Sequence, residues 1–290
     1  MAITFYDLSG KDGARFSPFG WRARMALAHK GLEADAVVEH VRFGEKAKLE
    51  FSGQKLVPVI KDGETVVNDS WAIACYLEET YTDRPSLFGG EAGRGAAKLI
   101  NDWTNRSINP LVARCIVHDV LLRCDDSDVE YFKETREARF GAALEQIQAG
   151  REEVLPSLHQ AFAPIRTVIE EQPFIGGSKP SYADYAPFGT LMWARVSSPF
   201  ELLEESDPLI VPPEAQATEI ATLATALSGT RFDIDFNPRA DLLRIIGDAG
   251  QNLRVNLDEG RVLADEARAA GFAFADGTVR LGDTMVPVPV

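Results

Sequence analysis

The sequence predicts an α/β domain over residues 1–85, an all-α domain over 92–209 and a strand-leaning tail over 210–290. Three observations carry this. Short β-rich runs alternate with helical spacing up to about Tyr81. From Ala92 strand signals vanish and long helical periods take over. After Pro208 the Val211-Pro212-Pro213 stretch breaks the helical run, and Asn-Pro, Gly-Asp and Asp-Gly turn signals separate short β-like pieces.

The elements follow in order. Residues 3–8 and 36–43 read as strands, and the segment between them sets Trp21, Met25, Ala28 and Leu32 at helical spacing, giving a strand-helix-strand unit. Residues 57–60 and 65–67 flank Lys61-Asp62-Gly63-Glu64, whose Asp-Gly pair suits a tight antiparallel hairpin because glycine accepts positive φ. Ser70 then opens a helix with Ile73, Ala74, Leu77 and Tyr81 on one face, ending before Asp83-Arg84-Pro85. The order is β-α-β, then β-β-α, and the Pro- and Gly-bearing residues 84–90 form the linker. Helices are expected over roughly 93–123, 128–150, 155–171 and 181–196, with no repeat long enough for a solenoid.

Composition narrows the function. Hydrophobic residues at 45% and charged ones at 26% argue for a packed globular chain. A net charge of -14 repels a phosphate backbone and an anionic membrane, so neither nucleic acid nor membrane is an expected partner. Cys75, Cys115 and Cys124 are irregularly spaced, which indicates neither a disulfide framework nor a zinc pattern and fits a reducing cytoplasm. His29, His40, His118 and His159 lack metal-ligand spacing, read as structural or solvated, and no metal is expected. The first residues show no basic run before an apolar stretch, and no segment approaches the ~18 apolar residues of a spanning helix. A soluble, unprocessed, cytoplasmic protein is the expectation.

Candidate chemistry sits at helix starts. Ser17-Pro18 precedes the first helix, where Ser is a preferred N-cap, Pro suits the first helical position, and Gly31 suits the C-terminal end. Capping alone accounts for Ser17. A cap hydroxyl beside the free N–H groups of a helix end also stabilises an anion, a thiolate included. Both roles are compatible. Val57-Pro58-Val59 places a proline at a strand start, where it suits an edge, and the sequence alone gives no reason for a cis bond. Asp69-Ser70 repeats the cap pattern at the next helix.

Taken together, Ser at the first helix start, Val-Pro before the hairpin and Asp-Ser opening the next helix resemble the thioredoxin-like glutathione site of glutathione transferases. The resemblance implies that Ser17 donates to the glutathione sulfur, that Val57 before a cis Pro58 pairs by backbone with the cysteinyl unit, and that Asp69 and Ser70 hold the γ-glutamyl end. Residues 174–184 add Gly176-Gly177 and Pro180-Ser181-Tyr182-Ala183-Asp184, a Ser-x-x-Asp capping pattern that the family also carries, as a folding element. Phe16-Ser17-Pro18-Phe19-Gly20-Trp21-Arg22 and Gln148-Ala149-Gly150-Arg151-Glu152 resemble bacterial lignin β-etherases and their fungal relatives. The likeness runs from about residue 3 to 209. Gln54 or Lys55 can serve the glycine end of glutathione, which stays open.

The resemblance implies an enzyme in which the glutathione thiolate attacks a carbon bearing an aryl ether beside a ketone and expels a phenolate. Phe19, Trp103, Phe140 and Trp193 are candidates for the aromatic-binding wall, with core filling as the alternative for each. Two rivals stand beside it: a protein that binds glutathione and aromatic ligands without turnover, and a transferase acting on other electrophiles. The family implies a homodimer. Within the tail, residues 218–268 resemble about one blade of a bacterial β-propeller-like domain of unknown function, and one blade cannot close a propeller.

Overall fold

The computed structural model describes residues 3–32, 36–204 and 206–209 together with strand backbones between 232 and 287. The chain divides into two compact units, residues 1–216 and 217–290.

The first unit begins with a four-stranded sheet. Strands β1 (Thr4–Leu8), β2 (Val37–Val41), β3 (Val59–Asp62) and β4 (Thr65–Asn68) lie in the order β2-β1-β3-β4. β1 pairs parallel with β2 across helix α1 (Pro18–His29), and antiparallel with β3, which turns through Gly63 at φ 59° into β4. Helix α2 (Ser70–Thr80) follows. This is the β-α-β, β-β-α order expected, and the architecture is a thioredoxin-like domain joined to a helical one.

The buried face of α1 differs from the expected one. Gly20, Arg22, Ala23, Ala26 and Leu27 are buried, while Trp21, Met25 and Ala28 are only half-buried. The reason is packing on two sides: α1 lies between the sheet and helix α8 (Tyr182–Ser197), and small side chains permit that close approach. At Gly189 a Cβ would run into the Pro18 carbonyl. α1 ends in a Schellman motif, with the Leu32 N–H donating to the Leu27 carbonyl, the Gly31 N–H to the Ala28 carbonyl, and Gly31 at φ 67°.

The helical half comprises α3 (Glu91–Trp103), a π-helical turn (Thr104–Ile108), α4 (Asn109–Arg123), α5 (Val129–Phe140), α6 (Leu144–Ala149), α7 (Arg151–Glu171) and α8. Three expected boundaries are corrected. The run over 93–123 is interrupted by the π turn, because Pro110 has no N–H to offer the Arg106 carbonyl one turn back. The run over 128–150 breaks at Gly141, which takes φ 76° and caps α5. The third helix starts at Arg151, and contains Pro156 and Pro164. Helix α8 opens with the Ser181–Asp184 capping box, whose Asp184 Oδ1 also accepts from the Ile175 N–H at 2.6 Å.

Two cores bind the halves of this unit together. One joins Phe5, Leu27, Ile73 and Leu77 of the first half to Tyr182 and Tyr185 of α8. The other joins Leu8 and Phe16 to α4, α5 and α7. Leu202 and Leu203 belong to this second core, Leu209 packs on it, and Asp207 accepts from Arg166 at 2.7 Å. Among the described residues no helix is long and apolar enough to cross a membrane.

The described residues of the second unit are β-strands. β5 (Phe232–Asn237), β6 (Leu242–Gly247), β7 (Asn252–Asn256) and β8 (Arg261–Asp265) form an antiparallel meander. β9 (Ala270–Ala273), β10 (Thr278–Leu281) and β11 (Thr284–Pro287) form a second sheet, beyond the 218–268 stretch likened to a blade.

Candidate functional site

Ser17 is the N-cap of α1. Its backbone is extended, at φ -84° and ψ 119°, so the side chain folds back over the first turn and Oγ accepts from the Gly20 N–H at 3.0 Å. Pro18 occupies the first helical position, where a missing N–H costs nothing. Gly20 is required here: any Cβ would collide with the Asp7 carboxylate, which is buried and fixed by Arg15 at 2.6 Å. Burial pushes the Asp7 carboxyl up, and the Arg15 charge opposes that push. The Ser17 oxygen thus accepts from the helix, and a hydroxyl in that role still carries a proton it can donate.

The Val57–Pro58 bond is cis, contrary to the bland reading of its sequence. Pro58 is buried under the sheet end and its carbonyl accepts from the Asp69 N–H at 3.2 Å, tying this loop to the start of α2. Asp69 is the N-cap of α2, with Oδ1 accepting from the Trp71 N–H at 3.0 Å and the Ala72 N–H at 3.1 Å. Its φ of 72° is unusual for a residue with a Cβ, and such strain persists where the surroundings impose it. Ser70 is buried behind it.

Ser17 and Val57 open onto a cleft of about 460 Å³. Its walls come from both halves of the first unit: Phe16 before α1 and Phe19 in it, Val41 at the end of β2 and Phe43 after it, Val117 and Val120 of α4, Tyr131, Phe132 and Phe140 of α5, and Trp193 of α8. Phe19, Phe140 and Trp193 thus line the cleft. Trp103 does not. It lies at the end of α3 with its indole N–H donating to the Ala161 carbonyl of α7 at 3.0 Å, outside the cleft. Pro58, Asp69 and Ser70 also lie outside the cleft lining, as does Gln54, whereas Lys55 reaches it.

Several lining groups were not legible in the sequence. Asn105, in the π turn, and Asn109 form one wall. Asn105 Oδ1 accepts from Arg22 at 2.8 Å and from the Asn109 amide at 3.3 Å, and Asn109 Oδ1 accepts from the Thr190 hydroxyl at 2.6 Å. Arg22 is fully buried, also donates to Asn101 at 3.1 Å, and lies 4.8 Å from the Phe19 ring centre. Burial pushes its guanidinium down to about 10, against the pull of Tyr182 and Asp69. Arg42, Lys46, Arg136 and Arg139 add positive charge to the lining. Phe43 and Gly44 are held in place by the buried Asp128, which accepts from their N–H groups at 2.8 and 2.7 Å.

Residues 16–80 match the family model described as glutathione S-transferase, N-terminal domain, and residues 96–206 match that of the glutathione S-transferase C-terminal domain. Residues 208–282 match a domain of unknown function, DUF4394. Among curated proteins the chain is 30% identical over 142 residues to a glutathione S-transferase-like protein of Aspergillus flavus, ustS, covering 44% of this chain and 50% of that one. It is 28% identical over 137 residues to a zeta-class glutathione S-transferase of Euphorbia esula, covering 46% of this chain and 61% of the relative. The chain thus spans about half to three-fifths of the length of these relatives. Among solved structures, glutathione transferase GSTFuA3 of Phanerochaete chrysosporium superposes with a TM-score of 0.63 at 28% identity, covering 68% of this chain and 86% of that one.

Proposed function

We propose, for a chain that belongs to the glutathione S-transferase superfamily through residues 16–80 and 96–206, that it binds glutathione and uses its thiolate to attack an aromatic electrophile. One observation carries the reading: Ser17, at the positive end of α1 with its oxygen already engaged by Gly20, opens onto a cleft lined by aromatic rings and by Val57. A hydroxyl proton and a helix N-terminus both favour a thiolate over a thiol, raising the nucleophile's concentration at neutral pH.

In this reading Ser17 donates to the sulfur and Val57 pairs with the cysteinyl unit ahead of Pro58. Asp69 and Ser70 hold the γ-glutamyl end, and Phe19, Phe140 and Trp193 face the second substrate. Docking both reactants supplies proximity. The finer reading is cleavage of a β-aryl ether of the lignin type: sulfur attacks the ether-bearing carbon beside a ketone, which activates it, and the phenolate departs with the bonding pair. A transferase acting on other electrophiles is the second reading, favoured by zeta-class and fungal relatives. Homodimerisation and a cytoplasmic location are part of the proposal, the former open to sedimentation analysis.

Millimolar glutathione is expected to raise the melting temperature, since a ligand bound only by the folded state stabilises it by mass action. No shift, with no retention on immobilised glutathione, sinks the transferase reading. Phenol release from a β-aryl ether ketone, dependent on protein and glutathione, supports the etherase. Conjugation of an aryl halide without phenol release supports the second reading, and glutathione binding with neither reaction leaves a non-catalytic binding protein.

A further inference from the structure

The α5 wall of the cleft carries a charge that no carboxylate neutralises among the described residues. Arg136 is half-buried, with its guanidinium carbon 4.5 Å from the Phe132 ring centre and 5.1 Å from that of Phe43. Its Nη1 donates to the Thr135 hydroxyl at 2.8 Å, and the Tyr131 phenol, the Cys124 thiol and the like-charged Arg139 lie close enough to act on it. Four other poorly exposed cations pair with carboxylates, Arg15 with Asp7 at 2.6 Å, Lys30 with Glu78 at 2.7 Å, Arg151 with Asp119 at 3.3 Å and Arg166 with Asp207 at 2.7 Å, and the fully buried Arg22 is held instead by the amide oxygens of Asn101 and Asn105. Asp128, just before α5, is turned to the Phe43 and Gly44 N–H groups instead. In a chain with 44 acidic and 30 basic residues, carboxylates are in surplus, so an unpaired half-buried guanidinium is not a matter of supply.

Taking a cation partly out of water costs free energy unless an anion offsets it, and burial does push the Arg136 guanidinium below its ordinary value. The planar fork of arginine matches a carboxylate in two parallel hydrogen bonds. Arg139, one turn further along α5, lines the same cleft, as do the rings of Phe43, Phe132 and Phe140. The geometry therefore combines an apolar slot for a ring with a cationic end.

We propose that the second substrate is an aromatic compound bearing a carboxylate, which Arg136 holds and Arg139 assists. This rests on the glutathione reading, and it names the substrate class of that same cleft. The test compares 4-chloro-3-nitrobenzoate with 4-chloro-3-nitrobenzamide. In each, the glutathione sulfur bonds to the ring carbon bearing chlorine, chloride leaves with the bonding pair, and the thiol proton passes to solvent. The carboxylate withdraws electrons less than the amide, so intrinsic reactivity favours the amide and a preference for the acid must come from the protein.

The wild type is expected to favour the benzoate by about tenfold in kcat/KM, a discrimination within reach of one charge-assisted pair. Arg136→Gln should bring the ratio to one or below, as intrinsic reactivity dictates, and Arg136→Lys should keep part of the preference. A wild-type ratio at or below one overturns the proposal. So does an Arg136→Gln variant that loses both substrates equally, or whose main loss is in glutathione affinity, since the arginine then serves glutathione's own carboxylate. If neither halide reacts, the glutathione reading is what has failed as chemistry, and calorimetric titration of 2-naphthoate against 2-naphthamide decides the cleft: tighter binding of the acid upholds the carboxylate site, and equal affinity removes it. The wild-type comparisons stand even if a variant does not fold.

Discussion

At Ser17 capping and activation depend on different properties of one side chain, so substitutions can separate them. Ser17→Ala removes the acceptor for the Gly20 N–H and the donor for sulfur, and should cost about 1 kcal/mol of stability together with a marked fall in turnover. Ser17→Asp keeps a cap acceptor but sets a carboxylate against the sulfur, where like charges raise the thiol pKa. The two should differ in melting temperature while both lose activity. An Asp variant as active as the parent on every electrophile tried would make Ser17 a cap alone. Asp128 offers a second residue-scale test. Asp128→Ala leaves the Phe43 and Gly44 N–H groups without their acceptor and should cost about 2 kcal/mol in urea unfolding. Ser17, Val57 and Asp69 could be picked out from sequence because a helix start or strand start announces itself locally. Asp128, Asn105 and Arg136 could not: Asp128 meets Phe43 across 85 positions, and Asn105 meets Arg22 across 83, so nothing near either residue in the chain signals the role.

The elements were legible where local chemistry decided them and obscure where packing did. The Asp62-Gly63 hairpin, the Ser181–Asp184 box and the Gly31 ending all follow from residue preferences, and all stand in the structure. The π turn before Pro110 and the break at Gly141 were lost inside long helical periods, because periodicity reports a face and not the continuity of its backbone. How α1 and α2 are joined was also invisible. Lys30, buried at the end of α1, lies 2.7 Å from Glu78 of α2, which also accepts from the Leu87 N–H at 2.9 Å and so ties the linker to both helices. Burial pushes the Glu78 carboxyl up, but the Lys30, Ser86 and Leu87 donors outweigh it and hold the group below its ordinary value. A carboxyl lowered on folding contributes stability above its unfolded pKa and loses it as pH falls through the folded one. Glu78→Gln should therefore destabilise by about 1–3 kcal/mol near neutrality. Its deficit against the wild type should shrink as acid drops below about pH 4, the carboxylate range. Melting curves from pH 7 to pH 3 check this, and a deficit that stays constant would show that the charge on Glu78 contributes nothing.

For the whole molecule, the boundary that matters is not the one between sheet and helices. The cores cross that line, with Tyr182 and Tyr185 packed among Phe5, Leu27 and Leu77, and the cleft itself takes walls from both sides. The sequence signalled a composition change near Ala92, yet the residues on either side of it fold as parts of one compact unit that runs to residue 216. Its last described residues are tied in: Leu202 and Leu203 are buried, Leu209 packs against the same core, and Asp207 accepts from the Arg166 Nη2 at 2.7 Å and Nε at 3.0 Å. A chain of residues 1–216 retains all of these contacts, the cleft lining and every residue proposed to hold glutathione. It should fold and bind glutathione with an affinity within about twofold of the full chain, a difference of less than half a kcal/mol. A cut before Asp207 should behave worse, because the half-buried Arg166 guanidinium then loses its counterion. Circular dichroism melts and glutathione titrations of the two truncations and the full chain make the comparison. If residues 1–216 aggregate or lose glutathione while the full chain does not, residues 217–290 are a structural partner of the first unit and not an appendage to it.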